Sequence, residues 1–325
     1  MNNNRKYIIW TGIITFLIVG YFIADSFLYN GVEPRRINEN GFQANYFVKK
    51  SKAKSIAIVL IGGGEWGDYW GQEFAKKGYV GLSLPYMGRE GLPNLPEEIK
   101  LEYFESAIEW LKKQPEVNSD KTIVMGASRN AELALLVASK FPKLVNGVVA
   151  YAPSSVTWSN TVLPFSSNTL KPSWKYQGAD IPYVPMDKLS GGNSKKIETL
   201  EYWKNGLAKT NYVTQATIRV EKINGPILLF SGKDDRVWPS SIMANMIEQH
   251  IKEKYFDHSF QNIQYENAGH LISSNPDGKS AFRTGIMNIN GKDYEFDFGG
   301  TSEGNKLAKQ DAKRRLFDYL ENLKR

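Results

Sequence analysis

The chain has 325 residues, 42% of them hydrophobic and 13% aromatic, which excludes a disordered chain and suits one large α/β domain. It contains no Cys and only three His (His250, His258 and His270), so disulfides, cysteine nucleophiles and Cys-ligated metals are excluded, and the absence of an H-x-x-x-H spacing gives no metal centre or cofactor to expect. Lys+Arg 41 over Asp+Glu 34 leaves a net charge of +7, spread as solvated faces; no nucleic-acid partner is expected.

Residues 7–24 read YIIWTGIITFLIVGYFIA, an uncharged run close to the roughly 20 residues that span a hydrocarbon core. An uncleaved single-pass transmembrane helix is the preferred reading. A signal peptide cut after Ser26 competes with it, because Ala24 and Ser26 put small residues at both required places. Arg5 and Lys6 flank one side and Arg35 and Arg36 the other, and the closer pair favours a main domain outside the cytoplasm. Residues 25–41 read as a juxtamembrane linker ending at Asn40-Gly41, a hairpin signal.

From residue 42 to 325 strand and helix patterns alternate, as a mostly parallel sheet with crossover helices requires. Strands are expected at 42–48, 55–61, 79–84, 122–125, 145–151, 227–230 and 262–265. Helices are expected at 68–77, 98–113, 131–141, 240–254 and 305–323. Residues 156–215 break the alternation with Trp158, Phe165, Trp174, Tyr176, Tyr183 and Trp203 among Pro, Ser and Gly. A lid-like insertion over a substrate site is one reading, with Trp66, Trp158 and Trp174 as candidate substrate contacts; a surface loop whose aromatics patch the core is the other.

Four features carry chemistry. Gly126-Ala127-Ser128-Arg129-Asn130 lies between a strand and an apolar helix, where a sharp turn would lift the Ser128 hydroxyl above the sheet as a nucleophile. The bland alternative is an ordinary turn with a capping serine. Asp235 follows an apolar strand and suits the acid that orients an imidazole, with Asp234 as the alternative. His270 follows the last strand and would take the serine proton. Gly62-Gly63-Gly64-Glu65 follows an early buried strand, so the backbone N–H groups of Gly63, Gly64 or Glu65, with that of Arg129, are the expected oxyanion donors. The order Ser128, Asp235, His270 is the order of the α/β-hydrolase fold.

The runs GASRNAELALLVASKFP, VVAYAPSSVTW, LIGGGEW, LPNLPEEIKLEYFESAIEWL, INGPILLFSGKDDRVWPS and NAGHLI, with Gly299-Gly300-Thr301, resemble the C-terminal catalytic domain of the acyl-CoA thioesterase and bile acid-CoA:amino acid N-acyltransferase family over about residues 55–323. The resemblance implies Ser128 as nucleophile, Asp235 as acid and His270 as base, and acyl transfer from a thioester to water or an amine. Asn130 stands where the family usually has Gly, and residues 25–54 are too few for the β-sandwich domain of its larger members. An exterior domain would not meet cytosolic acyl-CoA, so a carboxylesterase on lipid or small esters is the second expectation. A non-catalytic binding protein on the same fold is the third, motivated by Asn130 alone.

Overall fold

The computed structural model describes residues 3–29, 32–49, 53–160, 169–187, 196–275, 283–289 and 292–324. Phe165, among the insertion aromatics, lies outside the described residues, as do residues 30 and 31 of the expected linker.

An eight-stranded sheet runs through the molecule. In chain order its strands are β1 (Arg35–Glu39), β2 (Phe42–Val48), β3 (Ser55–Ile61), β4 (Val80–Leu84), β5 (Val117–Ala127), β6 (Val148–Tyr151), β7 (Ile227–Gly232) and β8 (Phe260–Tyr265). Their spatial order is β1-β2-β4-β3-β5-β6-β7-β8. β2 pairs antiparallel with β1 and β4; the pairs from β4 across to β8 are parallel. Eight α-helices accompany it among the described residues, in chain order: α1 (Asn3–Tyr29), α2 (Gly64–Lys76), α3 (Glu102–Lys112), α4 (Arg129–Lys140), α5 (Leu200–Leu207), α6 (Thr210–Ala216), α7 (Ser240–Glu253) and α8 (Ser302–Lys324).

The apolar run of β3 shows why both faces need cover. Ala57, Val59 and Ile61 point into a core shared with α3, α4 and α7, while Ile56, Ile58 and Leu60 point into a second core shared with α2 and α8. The period of two thus feeds two layers from one unbroken hydrophobic stretch. Each fully buried side chain of this size contributes roughly 1.5–3 kcal/mol before entropy is counted. On α8 the buried Ala308, Ala312, Leu316 and Leu320 recur every fourth residue, so one stripe faces the sheet; Lys309 is buried beside it, and the other charged side chains are partly or fully exposed.

β1 lies within the segment the sequence reads as linker. Only Ile37 of its five residues is buried, and Arg35, Arg36 and Glu39 face solvent, the composition of an edge strand protected against further pairing. Asn40 and Gly41, at φ 55° and 79°, make the tight turn into β2. α1 likewise runs past residue 25 to Tyr29. No helix among the described residues is long and apolar enough to cross a membrane. The expected transmembrane helix therefore has no support among the described residues.

The described part of the insertion, between β6 and β7, is ordered by its own contacts. Trp174–Tyr176 joins Ile99–Lys100 and Ala179–Asp180 in a small three-stranded sheet. Val156, Trp158, Val184, Met186, Trp203 and Ala216 form a separate core with Trp238 and Met243. Trp203 meets Trp158 and Trp238 edge-on, with ring centroids 4.9 and 5.4 Å apart. A third sheet places Lys196–Ile197 beside the hairpin of Thr284–Ile289 and Lys292–Asp297.

Candidate active site

The loops that follow β3, β5, β7 and β8 at the C-terminal edge of the parallel strands carry the candidate residues, the edge at which open α/β sheets hold their ligands. Ser128 occupies the turn from β5 into α4. Its φ of 58° and ψ of −126° lie in a region that side chains with a Cβ rarely adopt. The turn is held from both sides: the Ser128 N–H donates to Tyr151 C=O at 2.9 Å, and the Ser128 C=O accepts from the N–H groups of Ala131 and Glu132 at 2.8 and 3.1 Å. The turn has no room for side chains at the preceding glycine, since a Cβ on Gly126 would stand 2.1 Å from Asn130 O.

Asp235 and His270 are brought together. His270 Nδ1 lies 2.9 Å from Asp235 Oδ2, and both residues are buried. The carboxylate is fully occupied: Oδ2 also accepts from Ser240 Oγ at 2.6 Å, and Oδ1 accepts from the N–H groups of Val237 and Trp238 at 2.9 and 3.2 Å. Asp234 turns elsewhere, accepting from the N–H of Gly300 at 2.9 Å and from Arg236 at 2.6 Å. Ser128 shares the sheet edge with this pair, with no hydrogen bond to His270 among the described residues. Such contacts often tighten only once substrate is bound.

Gly299-Gly300 stitches the two loops. Gly299 bridges to Asp235 and Gly300 to Ala268, and the His270 N–H donates to Phe298 C=O at 2.8 Å. A Cβ on Gly299 would fall 1.7 Å from Asp234 O, and one on Gly300 2.5 Å from Gly269 N, so backbone meets backbone here. Asn305 of α8 closes the arrangement, accepting from Gly269 N–H at 2.8 Å and donating to Gly299 C=O at 3.1 Å.

The expected oxyanion loop needs one correction. The N–H of Gly63 donates to Leu60 C=O at 3.2 Å and is engaged within its own turn. Gly64 and Glu65 open α2, and Arg129 opens α4, where first-turn N–H groups have no intrahelical acceptor. These are the available donors. Gly63 takes φ 55° and ψ −139°, and a Cβ on it would meet Pro85 N at 2.5 Å. The loop is tied to the His270 loop through α2, because the indole N–H groups of Trp66 and Trp70 both donate to Ser273 C=O, at 3.2 and 3.0 Å.

Asn130 is accommodated rather than disruptive. Its amide packs where a Cβ on Gly62 would be, 2.1 Å from Nδ2, and its Oδ1 accepts from Tyr86 OH at 2.8 Å. Two of the three tryptophans expected to contact substrate are placed differently. Trp158 and Trp174 are buried, and their indole N–H groups donate to Ser154 Oγ at 2.8 Å and Glu132 Oε1 at 2.7 Å. They close a core instead of lining an open surface, and only Trp66 keeps partial exposure. Of the other histidines, His250 pairs with Glu221 at 2.8 Å and His258 stacks edge-on against Phe256. No three His, Asp or Glu side chains gather as a metal site would need among the described residues.

Glu132, one turn beyond Ser128, escapes sequence reasoning, yet it is fully buried beside the site. Its signal was present: a single carboxylate within AELALLVA, where apolar residues occupy every face of the helix.

Comparison with known proteins places this geometry. The family described as BAAT / Acyl-CoA thioester hydrolase C terminal matches residues 99–323, a range that holds Ser128, Asp235 and His270. Acyl-coenzyme A thioesterase 6 of Mus musculus is 27% identical over 248 residues, covering 76% of this chain and 55% of that protein. Acyl-coenzyme A amino acid N-acyltransferase 2 of Mus musculus is 26% identical over 255 residues, covering 74% of this chain and 55% of that protein. The chain thus spans little more than half the length of these two relatives. Among solved structures, a putative dienelactone hydrolase from Klebsiella pneumoniae superposes with a TM-score of 0.54 at 14% identity, over 89% of this chain and 98% of that one, and shares the fold. The chain belongs to the BAAT / acyl-CoA thioester hydrolase C-terminal family, on an α/β-hydrolase scaffold.

Proposed function

We propose that the protein is a serine hydrolase of acyl thioesters, acting on acyl-CoA through a Ser128–His270–Asp235 triad. The observation that carries the reading is the buried Asp235–His270 pair, set at the same sheet edge as a serine held at positive φ, inside the matched family region. In this reading His270 Nδ1 is held by Asp235, so Nε2 accepts the Ser128 proton as Oγ attacks the acyl carbonyl. The N–H groups of Arg129 and of Gly64 or Glu65 stabilise the developing oxyanion. The thiol leaves with the proton from His270, and water, activated by the same imidazole, releases the acid. The names of the relatives support a thioester donor and leave two acceptors, water and an amino acid.

The test is to incubate the full chain with palmitoyl-CoA, with p-nitrophenyl acyl esters, and with palmitoyl-CoA plus glycine. Release of CoA and free acid, with thioester turnover exceeding ester turnover at least tenfold in kcat/KM, is the expected result. Ester turnover without thioester turnover would replace this reading with an extracytoplasmic carboxylesterase, and acylated glycine would replace water as acceptor. Inertness toward all of these and toward a fluorophosphonate would leave a binding protein.

We propose in addition that residues 7–24 anchor the chain in a membrane as a single pass, with the catalytic domain on the extracytoplasmic side. The support is the uncharged sequence and the exposure of Ile13, Ile14, Phe16, Leu17, Ile18 and Phe22 along α1. The full chain should stay in the membrane pellet through an alkaline carbonate wash and be digested by protease added outside spheroplasts. Release into the wash would remove the anchor, and protection from protease would reverse the orientation.

A further inference from the structure

The residue after the nucleophile has a side chain as constrained as its backbone. Arg129 Nη1 lies 2.5 Å from Glu132 Oε2, one helical turn on. Its Nη2 reaches out of α4 into the insertion, donating to Ser173 Oγ at 2.5 Å and to Ser159 C=O at 3.3 Å. Glu132 reaches the same segment with its other oxygen, Oε1, which accepts from Trp158 N–H at 3.1 Å and Trp174 Nε1–H at 2.7 Å. One ion pair, its carboxylate fully buried and its guanidinium partly so, therefore binds the first turn of α4 to two stretches of the insertion, at residues 158–159 and 173–174. Its guanidinium also lies over the Trp174 ring, 5.6 Å from the centroid.

Resting on the hydrolase reading above, we propose that Glu132 and Arg129 form a positioning clamp: Glu132 holds the Arg129 side chain on the insertion, and this fixes the Arg129 N–H at the oxyanion position. The energetics favour a role of this kind over simple stabilisation. A buried ion pair rarely adds net stability, because both charges lose their hydration. Burial pushes the Glu132 carboxyl up to about 7, with Arg129 and the indole N–H of Trp174 pulling against it. Above that pH the clamp is charged and closed; below it the carboxyl gains a proton and Arg129 loses its counter-charge. The other titratable groups that feel the pair are Tyr86, after β4, and Tyr202 of α5, both held above the usual phenol range by burial. Neither changes charge near neutral pH, so the clamp would titrate as Glu132 alone.

The experiment uses the full chain and two variants. Glu132→Gln keeps an acceptor for the Trp158 backbone N–H and the Trp174 indole N–H and removes the charge. Ser173→Ala is the milder variant: it removes the Ser173 Oγ acceptor of Nη2 and leaves the Ser159 C=O. Rates with p-nitrophenyl esters and palmitoyl-CoA are measured from pH 5.5 to 9, beside the indole 15N–1H resonance of Trp174. The expected result is a kcat lowered about tenfold or more in Glu132→Gln and about threefold in Ser173→Ala, with KM within twofold of the parent. The parent's Trp174 resonance should titrate near neutral pH, and its kcat should lose one ionisation on the acid side when Gln replaces Glu. A folded Glu132→Gln protein with unchanged kcat and acid limb would overturn the clamp while leaving the hydrolase. A rise in KM alone would overturn it too, as a substrate contact rather than a positioning device. If the parent itself turns over no ester and takes no fluorophosphonate, the hydrolase reading fails and the clamp falls with it.

Discussion

Ser128→Ala should lower turnover of every acyl substrate by roughly 10⁴- to 10⁶-fold and abolish fluorophosphonate labelling, with little change in fold. The reason for both halves of that result lies in the turn. The contacts that hold residue 128 are backbone contacts, its N–H to Tyr151 C=O and its C=O from Ala131 and Glu132, and alanine keeps them all. What disappears is Oγ, the atom that would form the acyl-enzyme. Alanine also keeps the Cβ that makes φ 58° unfavourable, so thermal unfolding should shift by only a degree or two. Ser128→Gly separates the terms further: it should be equally inactive yet more stable than the parent by about 1 kcal/mol, because glycine relieves the strain at positive φ. Retained hydrolysis in Ser128→Ala, measured beside circular dichroism, would move the nucleophile to another residue and remove the triad.

The outcome at individual residues shows which signals a single sequence can carry. β3 and β7 were legible because a strand buried on both faces is an unbroken apolar run with a turn behind it, and those turns hold the glycine loop and Asp235. β1 was not, because an edge strand protects itself with the charges that make it look like a linker. The hairpin of Thr284–Ile289 and Lys292–Asp297 was missed, although Asn290-Gly291 is a hairpin signal; its polar strands lacked the apolar alternation that would have prompted the reading. Spacing after a strand singled out Asp235 over Asp234 only as a preference, since two adjacent carboxylates in one turn differ in direction and not in pattern. The insertion tryptophans failed in the other direction. Aromatic residues in an irregular stretch suit a ligand surface and a small core equally well, and only contacts such as Trp158 with Trp203 choose between them. Gly63 illustrates the same limit at the level of one N–H group, because a glycine run shows where the chain can turn but not which amide the turn itself consumes.

Asp235→Asn carries the second large expected effect, and its cause is a proton on the wrong nitrogen. Oδ1 of Asp235 accepts from two backbone N–H groups, of Val237 and Trp238, so the amide oxygen of an asparagine must take that side. The amide NH₂ is then forced into the place of Oδ2, 2.9 Å from His270 Nδ1. Two donors cannot share that contact, and the imidazole switches tautomer: Nδ1 accepts, and Nε2 carries the hydrogen. A ring protonated at Nε2 cannot take the Ser128 proton, which predicts a fall in kcat of about 10⁴-fold near neutral pH with KM nearly unchanged. The Ser240 hydroxyl adapts by turning to accept from the new NH₂, so the fold survives. Asp234→Asn supplies the comparison. Asp234 faces Gly300 N–H and Arg236 rather than the imidazole, and an amide oxygen can still accept from Gly300, so the expected loss is under about tenfold. Steady-state rates and the 15N shifts of the His270 ring check the argument together, because the tautomer is read directly from the ring nitrogens. Equal losses in the two asparagine variants, with the parent tautomer kept in Asp235→Asn, would show that the carboxylate shapes the loop and does not orient the base.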